Sequence, residues 1–415
     1  MTHAPTASWR RAVGAVTSMF HVKQSATSDD ASDVSRETHA ADRSAARTMF
    51  HVKHARQRRG ALIALAAVFA LVAVGCGGVQ RPDGWAAPVQ VGDGVLVQAR
   101  SGQLSLINPA NGQPAWQYPS DDDGGRPFYA TPVVEGDSVY VADYKGRVAR
   151  LDANVGNATW ATDLDVQVVA TPLLRNGSLF VPAEDGTIAV LDVSSGAVTR
   201  TIDTTDRRIW SSPAADGGGL YVSDLDNGIT IAFNPSTGER LWEQSATGAS
   251  AADLVLDGDL LMVGSFDRSL HSLGVEQGGQ ERWVAQGDGW FLARPLVSGR
   301  TVFASTMHGT VYALDRATGA ERWTFTADDG AEFRAAPVIV GGHLVVAARD
   351  GRVFALDTTD GSLRWTVETA VDGNLNADPL VVGSDIYYST SKHNLVRVDA
   401  DNEGAPQAIP LAAAR

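Results

Sequence analysis

The chain has 415 residues, 44% of them hydrophobic, with 42 glycines, one cysteine and a formal net charge of −14. The charge is uneven: residues 1–75 hold 10 Lys or Arg against 5 Asp or Glu, and residues 76–415 hold 24 against 43, a balance of −19. A body this acidic argues against nucleic acid or anionic lipid headgroups as partners, and a single cysteine excludes an intramolecular disulfide.

Residues 1–48 are polar, rich in Ala, Ser and Asp, and without sustained periodicity, which predicts disorder. MFHVKQ at 19–24 and MFHVKH at 49–54 are near copies, and VSRET stands at 34–38. Codons for these phrases can spell the palindrome TTTCACGTGAAA. The region therefore reads either as a record of DNA sites, with the start at Met49, or as a disordered tail with a duplicated hexamer. From Met49 onward the pattern is that of an export signal. Lys53, Arg56, Arg58 and Arg59 form a basic head, and Ala61 to Gly75 is an uncharged, mostly apolar run of 15 residues. A spanning helix needs about 20, so the run is short for one and suits a signal-peptide core.

The run ends in AVGCGG at Cys76, which resembles the lipobox of bacterial lipoproteins. Val74 and Gly75 fit the box, and Ala73 stands where leucine is usual. The resemblance implies that 49–76 is a signal peptide with a lipobox-like end, cut before Cys76, and that Cys76 is lipidated. It also implies a protein held at the outer face of the plasma membrane, or on an outer membrane if the host has one. An uncleaved N-terminal anchor and ordinary secretion are the alternatives. Residues 77–84, GGVQRPDG, read as a short linker.

Residues 85–415 are repeats. The clearest unit is Thr131 to Trp160, TPVVEGDSVYVADYKGRVARLDANVGNATW. Pro132 opens a short strand, Gly136-Asp137 turns the chain, and Ser138 to Ala142 is a second, apolar strand. Lys145-Gly146 is a tight turn whose glycine can take positive φ. Arg147 to Leu151 returns, Asp152 to Gly156 turns again, and Trp160 follows. The unit occurs eight times at spacings of 40 to 44 residues. The opening-proline position reads Pro88, Pro132, Pro172, Pro213, Asp253, Pro295, Pro337 and Pro379. The hairpin position reads Gly102, Gly146, Gly186, Gly228, Ser269, Gly309, Gly351 and Asn394. The tryptophan position reads Trp116, Trp160, Arg200, Trp242, Trp283, Trp323, Trp365 and Ala408. A meander of this kind cannot bury its own faces and needs neighbours like itself.

Stretches such as Thr159 to Asp163 and Arg322 to Thr326 begin a fourth strand. The prediction is all-β: an eight-bladed β-propeller of four-stranded antiparallel blades, whose closure leaves few exposed edges. The last unit lacks its tryptophan, so its outer strand is expected to come from residues before Pro88, including Trp85, as a clasp. The recurrent tryptophans are expected to pack between blades and order the turns. The turn aspartates are expected to cap backbone N–H groups rather than to hold metal. Residues just before the opening proline are better functional candidates. Tyr129, Trp210, Trp290, Phe291, Phe333 and Arg334 predict an aromatic and cationic patch at one mouth of the ring, able to bind a partner, with plain packing as the alternative.

The phrases HGTVYALDRATGAERW at 308–323 and DGRVFALDTTDGSLRW at 350–365 resemble the PQQ-like, quinoprotein-type β-propeller repeat. With the lipobox-like terminus, the chain resembles the BamB-like lipoprotein group within that family. The resemblance implies a non-enzymatic envelope scaffold, without cofactor or metal, bound to envelope proteins or exported polypeptides and monomeric within a larger complex. A role like outer-membrane protein assembly is the specific form of that expectation. A PQQ-dependent quinoprotein dehydrogenase is the rival. Those enzymes usually hold PQQ over a calcium ion near a Glu, an Asn and an Asp, and many place a vicinal disulfide against it. This body has no cysteine pair for one. A hydrolase is the third reading, but His271, His308, His343 and His393 fall in different repeats with no catalytic spacing, and surface histidines are the expectation.

Overall fold

Apolar second and third strands and alternating outer strands build eight four-stranded antiparallel sheets among the described residues. The computed structural model describes residues 85–99, 102–120, 126–245, 248–400 and 405–411. The expected signal segment, Cys76 and linker lie outside these residues. The sheets occupy 89–118, 133–163, 173–203, 214–245, 255–286, 296–326, 338–368 and 380–409, here called blades 1 to 8.

Blade 2 shows the rule. Its strands are Val133–Glu135, Ser138–Ala142, Arg147–Asp152 and Ala158–Asp163, hydrogen-bonded in chain order. All of SVYVA is buried, because both faces of that strand meet neighbouring blades, whereas the outer strand ATWATD is mostly exposed. Gly146 turns the hairpin at φ 90°, and a Cβ there would stand 2.2 Å from the Val166 carbonyl oxygen. A bulge between Arg150 and Leu151 shifts the register before the Asp152 turn. The same bulge recurs in blades 1 and 3 to 7, where it adds twist at the same point of each sheet.

The core sits between blades rather than within them. Leu96, Leu104 and Trp116 of blade 1 pack on Val139, Val141 and Leu151 of blade 2. Equivalent clusters join every following pair. Val95, Val97 and Ile107 then meet Tyr387, Leu395 and Ile409, so blade 8 packs on blade 1 and the ring closes.

Trp116, Trp160, Trp242, Trp283 and Trp323 each couple one blade to the turn of the next. The Trp116 indole N–H donates to the Ala153 carbonyl at 2.9 Å, Trp160 to Val193 at 2.9 Å, and Trp283 to Arg316 at 2.9 Å. The glycine of that turn lies under the indole: a Cβ at Gly156 or Gly196 would come within 2.5 Å of the ring. The turn aspartates cap as expected. Asp152 Oδ1 accepts the N–H groups of Asn154 and Val155 at 2.8 and 3.2 Å. Asp192 receives the backbone and hydroxyl groups of Ser194 and Ser195, and these bonds hold its carboxyl down at about 2.

Four details of the sequence reading are corrected. The clasp is absent: the outer strand of blade 8 is Gln407–Ile409, which follows the third strand Leu395–Asp399 in chain order. Pro410 reaches Gly112, where a tryptophan sits in other seams. Asp253 is not the opening residue of blade 5. Leu254 takes that place, donating its N–H to the Ser212 carbonyl at 3.2 Å ahead of the strand Val255–Asp257. The left-handed hairpin residue is Arg268 (φ 71°) rather than Ser269, and His393 (φ 55°) rather than Asn394. His271, in the strand Ser269–Gly274, and His393, in its hairpin turn, are buried and not on the surface.

Candidate functional site

The chain segments entering the eight first strands converge on one cavity of about 90 Å³. Two positions supply almost all of its lining: the residue three before each strand-opening residue, and the residue one before it. The first set is Trp85, Tyr129, Val169, Trp210, Ala251, Leu292, Arg334 and Asn376. The second set is Ala87, Thr131, Thr171, Ser212, Asp253, Arg294, Ala336 and Asp378, of which all but Ala336 line the cavity.

The second set is tied together by hydrogen bonds that run in one direction from blade to blade. The Ala87 N–H donates to Thr131 Oγ1 at 3.1 Å, Thr131 to Thr171 Oγ1 at 3.0 Å, and Thr171 to Ser212 Oγ at 3.1 Å. The Ser212 N–H continues to Asp253 Oδ1 at 2.9 Å, and the Ala336 N–H donates to Asp378 Oδ1 at 2.7 Å. Five of these eight positions, Thr131, Thr171, Ser212, Asp253 and Asp378, carry a short hydroxyl or carboxylate side chain, and each accepts from the backbone of the preceding blade.

Electrostatics divide the cavity. Arg294 Nε donates to Asp378 Oδ2 at 3.2 Å. The Arg334 guanidinium lies 4.9 Å from the centre of the Trp85 ring, a cation–π geometry. Burial, reinforced by Arg349, lowers the Arg334 pKa to about 10, against the pull of Asp378 and Asp253. Burial raises the Asp378 carboxyl, with Arg294 opposing the shift. On the other side the wall is aromatic: Trp85 meets Tyr129 edge-on at 4.2 Å, and Tyr129 meets Tyr144 at 5.2 Å. The Trp210 indole N–H donates to Glu184 Oε1 at 2.7 Å.

Of the six residues expected to form a partner-binding patch, Tyr129, Trp210 and Arg334 line this cavity. Trp290 is half-buried beside it, edge-on to Phe266 at 5.3 Å. Phe291 and Phe333, at 1% and 0% exposure, belong to the cores between blades 5 and 6 and between blades 6 and 7, so they present no surface. The patch reading missed Trp85, Asp253, Arg294, Asn376 and Asp378. Their signal was present in the repeat alignment, at fixed offsets before the opening residue.

His271 forms a separate cluster, with Nδ1 2.9 Å from Glu281 Oε2 and Nε2 3.3 Å from Asp267 Oδ2. The quinoprotein alternative calls for acidic side chains gathered around a cation. Among the described residues, no group of three or more His, Cys, Asp or Glu side chains is placed to hold a metal ion.

Comparison with known proteins adds the family. The family model described as outer membrane protein assembly factor BamB matches residues 100–325 and 274–407. The chain belongs to the BamB-like PQQ-repeat β-propeller family. BamB of Burkholderia pseudomallei K96243 is 31% identical over 114 residues, covering 28% of this chain and 29% of the relative. BamB of Salmonella typhimurium LT2 is 24% identical over 245 residues, covering 56% of this chain and 50% of the relative. The chain thus spans half or less of the length of these curated BamB relatives. The crystal structure of BamB from Moraxella catarrhalis superposes with a TM-score of 0.64 at 22% identity, over 78% of this chain and 96% of that one. The computationally designed Ika8 protein gives 0.66 at 15% identity, over 77% and 98%. These two likenesses are of fold.

Proposed function

We propose that this BamB-family propeller is a non-enzymatic scaffold of the cell envelope that binds envelope proteins or exported polypeptides, in a role like outer-membrane protein assembly. The match of the BamB family model across residues 100–407 carries this reading. The chemistry of the described surface agrees with it: a rigid ring offers loops and an aromatic, charged axial cavity, and binding through them needs no reactive group. In this reading the segment 49–76 is an export signal, Cys76 carries lipid, and 85–415 is the functional body, working as a monomer inside a larger complex. Tyr129, Trp210, Trp290 and Arg334 are the partner-facing candidates.

Photo-cross-linking from position 290 in the intact envelope tests the proposal. The expected result is specific adducts with an envelope assembly subunit or with exported chains, reduced when Tyr129 or Arg334 is replaced. Envelope-localised protein that yields no specific adduct from position 290 or from neighbouring loops would overturn it. So would dye-linked substrate oxidation by the purified protein with PQQ and calcium.

A further inference from the structure

We propose that the three phrases within residues 19–54 are spelled by DNA: their codons carry three copies of one palindrome, an array read by a two-fold symmetric DNA-binding protein that acts on the gene and not on the peptide. The proposal is independent of the scaffold reading, since it concerns the coding strand and needs no property of the ring.

One nucleotide string accounts for all three phrases. TGTTTCACGTGAAACA is its own reverse complement. In the frame that takes its opening TG as the end of ATG, it gives Met-Phe-His-Val-Lys and then a codon beginning CA, which is Gln or His. Met19 to Gln24 and Met49 to His54 are both of this form. Read from its second base it gives GTT TCA CGT GAA ACA, which is Val34 to Thr38. Read from its first base it gives TGT TTC ACG TGA and ends in a stop codon. Only two frames can therefore lie inside a chain, and both are present. A peptide motif gives no reason for MFHVK to return as VSRET, whereas a shift of frame does.

The near copies differ only where the string permits. Gln24 and His54 share the bases CA and part at the third base of the codon, beyond the palindrome. On the other side the identity stops at once, at Ser18 and Thr48. Asp33 precedes Val34, and its codon GAT supplies the T that completes the middle copy.

Composition and fold point the same way. The chain has four lysines against 30 arginines, and five methionines; the two hexamers hold two of those lysines and two of those methionines. Lysine, avoided elsewhere, is used where AAA completes the palindrome. The eight four-stranded sheets are drawn wholly from 89–409 and the ring closes between blades 8 and 1, so no blade takes a strand from 19–54.

The chemistry of the reader follows from the string. An inverted repeat offers one pattern of major-groove donors, acceptors and methyl groups twice, related by a dyad at the central CG step, and a symmetric dimer reads both halves with the same element. The string resembles the bacterial centromere site read by chromosome-partition proteins. The body of this chain, at −19, is unsuited to be that reader.

The test begins with the nucleotide sequence of the gene, expected to hold TTTCACGTGAAA unbroken in the codons of 20–23, 34–38 and 50–53. A synonymous codon that breaks it in any copy, such as TTC at Phe20 or Phe50, overturns the proposal. Dimethyl sulfate footprinting of the native gene in the source cells should then show protection centred on each dyad. Recoding the three phrases with synonymous codons leaves the protein unchanged and should abolish that protection. Absence of protection, or protection that survives recoding, overturns the proposal. Where protection is lost on recoding, a changed transcript level identifies the reader as a regulator of this gene, and an unchanged level identifies it as a protein that serves the chromosome.

Discussion

Arg200 Nη2 donates to the Pro235 carbonyl at 2.7 Å, and Nη1 bonds Ser236, so a guanidinium grips the next blade's turn where indoles do so in other seams. Gly238 lies beneath it, its Cβ position 3.3 Å from Arg200 Nε and 3.1 Å from Ile202. The substitution keeps the function of the tryptophan position while changing its chemistry. Arg200→Ala should lower stability by about 1–3 kcal/mol, because two carbonyls lose their donor. Arg200→Trp should remain within about 1 kcal/mol of the parent, since the turn and its glycine are built to receive a ring. Thermal melts followed by circular dichroism check both. Equal melting of Arg200→Ala and the parent would show that this grip contributes nothing.

Trp323 and Gly361 form one coupled unit. The indole N–H of Trp323 donates to the Thr358 carbonyl at 3.2 Å, and a Cβ at Gly361 would lie 2.5 Å from the ring. Trp323→Ala should cost about 3–5 kcal/mol. Gly361→Ala should cost about 1–3 kcal/mol, through the clash and the positive φ of 73°. The double variant should lose less than the sum, because removing the ring removes the clash. Denaturant titration of the four proteins measures this coupling, and strict additivity would refute it.

His271 gives the ring a pH-dependent component. Burial disfavours its imidazolium, but hydrogen bonds to Asp267 and Glu281 outweigh burial and raise its pKa above 6.5. A raised histidine pKa means that its contribution is fully present below the unfolded value of 6.5. It is lost as pH rises through the folded value. Burial would raise the Asp267 carboxyl, but bonds from His271, Ser269 and Ser265 lower it below 3.8, so its own share is lost only in acid. The gap in melting temperature between the parent and His271→Ala should therefore be widest near pH 5–6 and narrow toward alkaline pH. A gap that is constant with pH would assign His271 to packing alone.

The seam between blades 8 and 1 is sealed by Ile409, 7% exposed against Val95, Val97 and Tyr387. Ile409→Ala should free the outer strand Gln407–Ile409 and expose Leu395–Asp399 to proteolysis. Trp85→Ala should leave the seam closed, since Trp85 packs on Tyr129 and Arg334 in the axial cavity and lies outside every described strand. Limited proteolysis of the two variants separates these outcomes. The opposite pattern would restore a clasp by the residues before blade 1.

The repeat made the fold legible because proline, glycine and tryptophan each answer a local constraint that recurs in every blade. The reading slipped where that marker residue was replaced. Leu254 has no proline to announce it, and the register moved by one to Asp253. Arg268 and His393 hold a left-handed turn without glycine, so the eye passed to Ser269 and Asn394. The closure was misread because periodicity shows that neighbours exist without showing which end supplies the last edge. Phe291 and Phe333 looked equivalent to Tyr129 and Trp210 in sequence. One sits four residues before its opening residue, as does the other, and that offset faces the core between blades. Offsets of one and three face the axis: the alignment carries the offsets, and the path of the chain into the first strand shows which of them point inward.

The one-way hydrogen bonding around the axis has a last consequence. Eight similar blades alone would give any visitor eight equivalent rotational settings. Arg294, Ala336 and Ala87, which bring no hydroxyl or carboxylate to the run, mark one side, and the run from Ala87 to Asp253 marks the other. The ring thus has a compass bearing as well as two faces, and whatever lodges at its hub is oriented to a single azimuth.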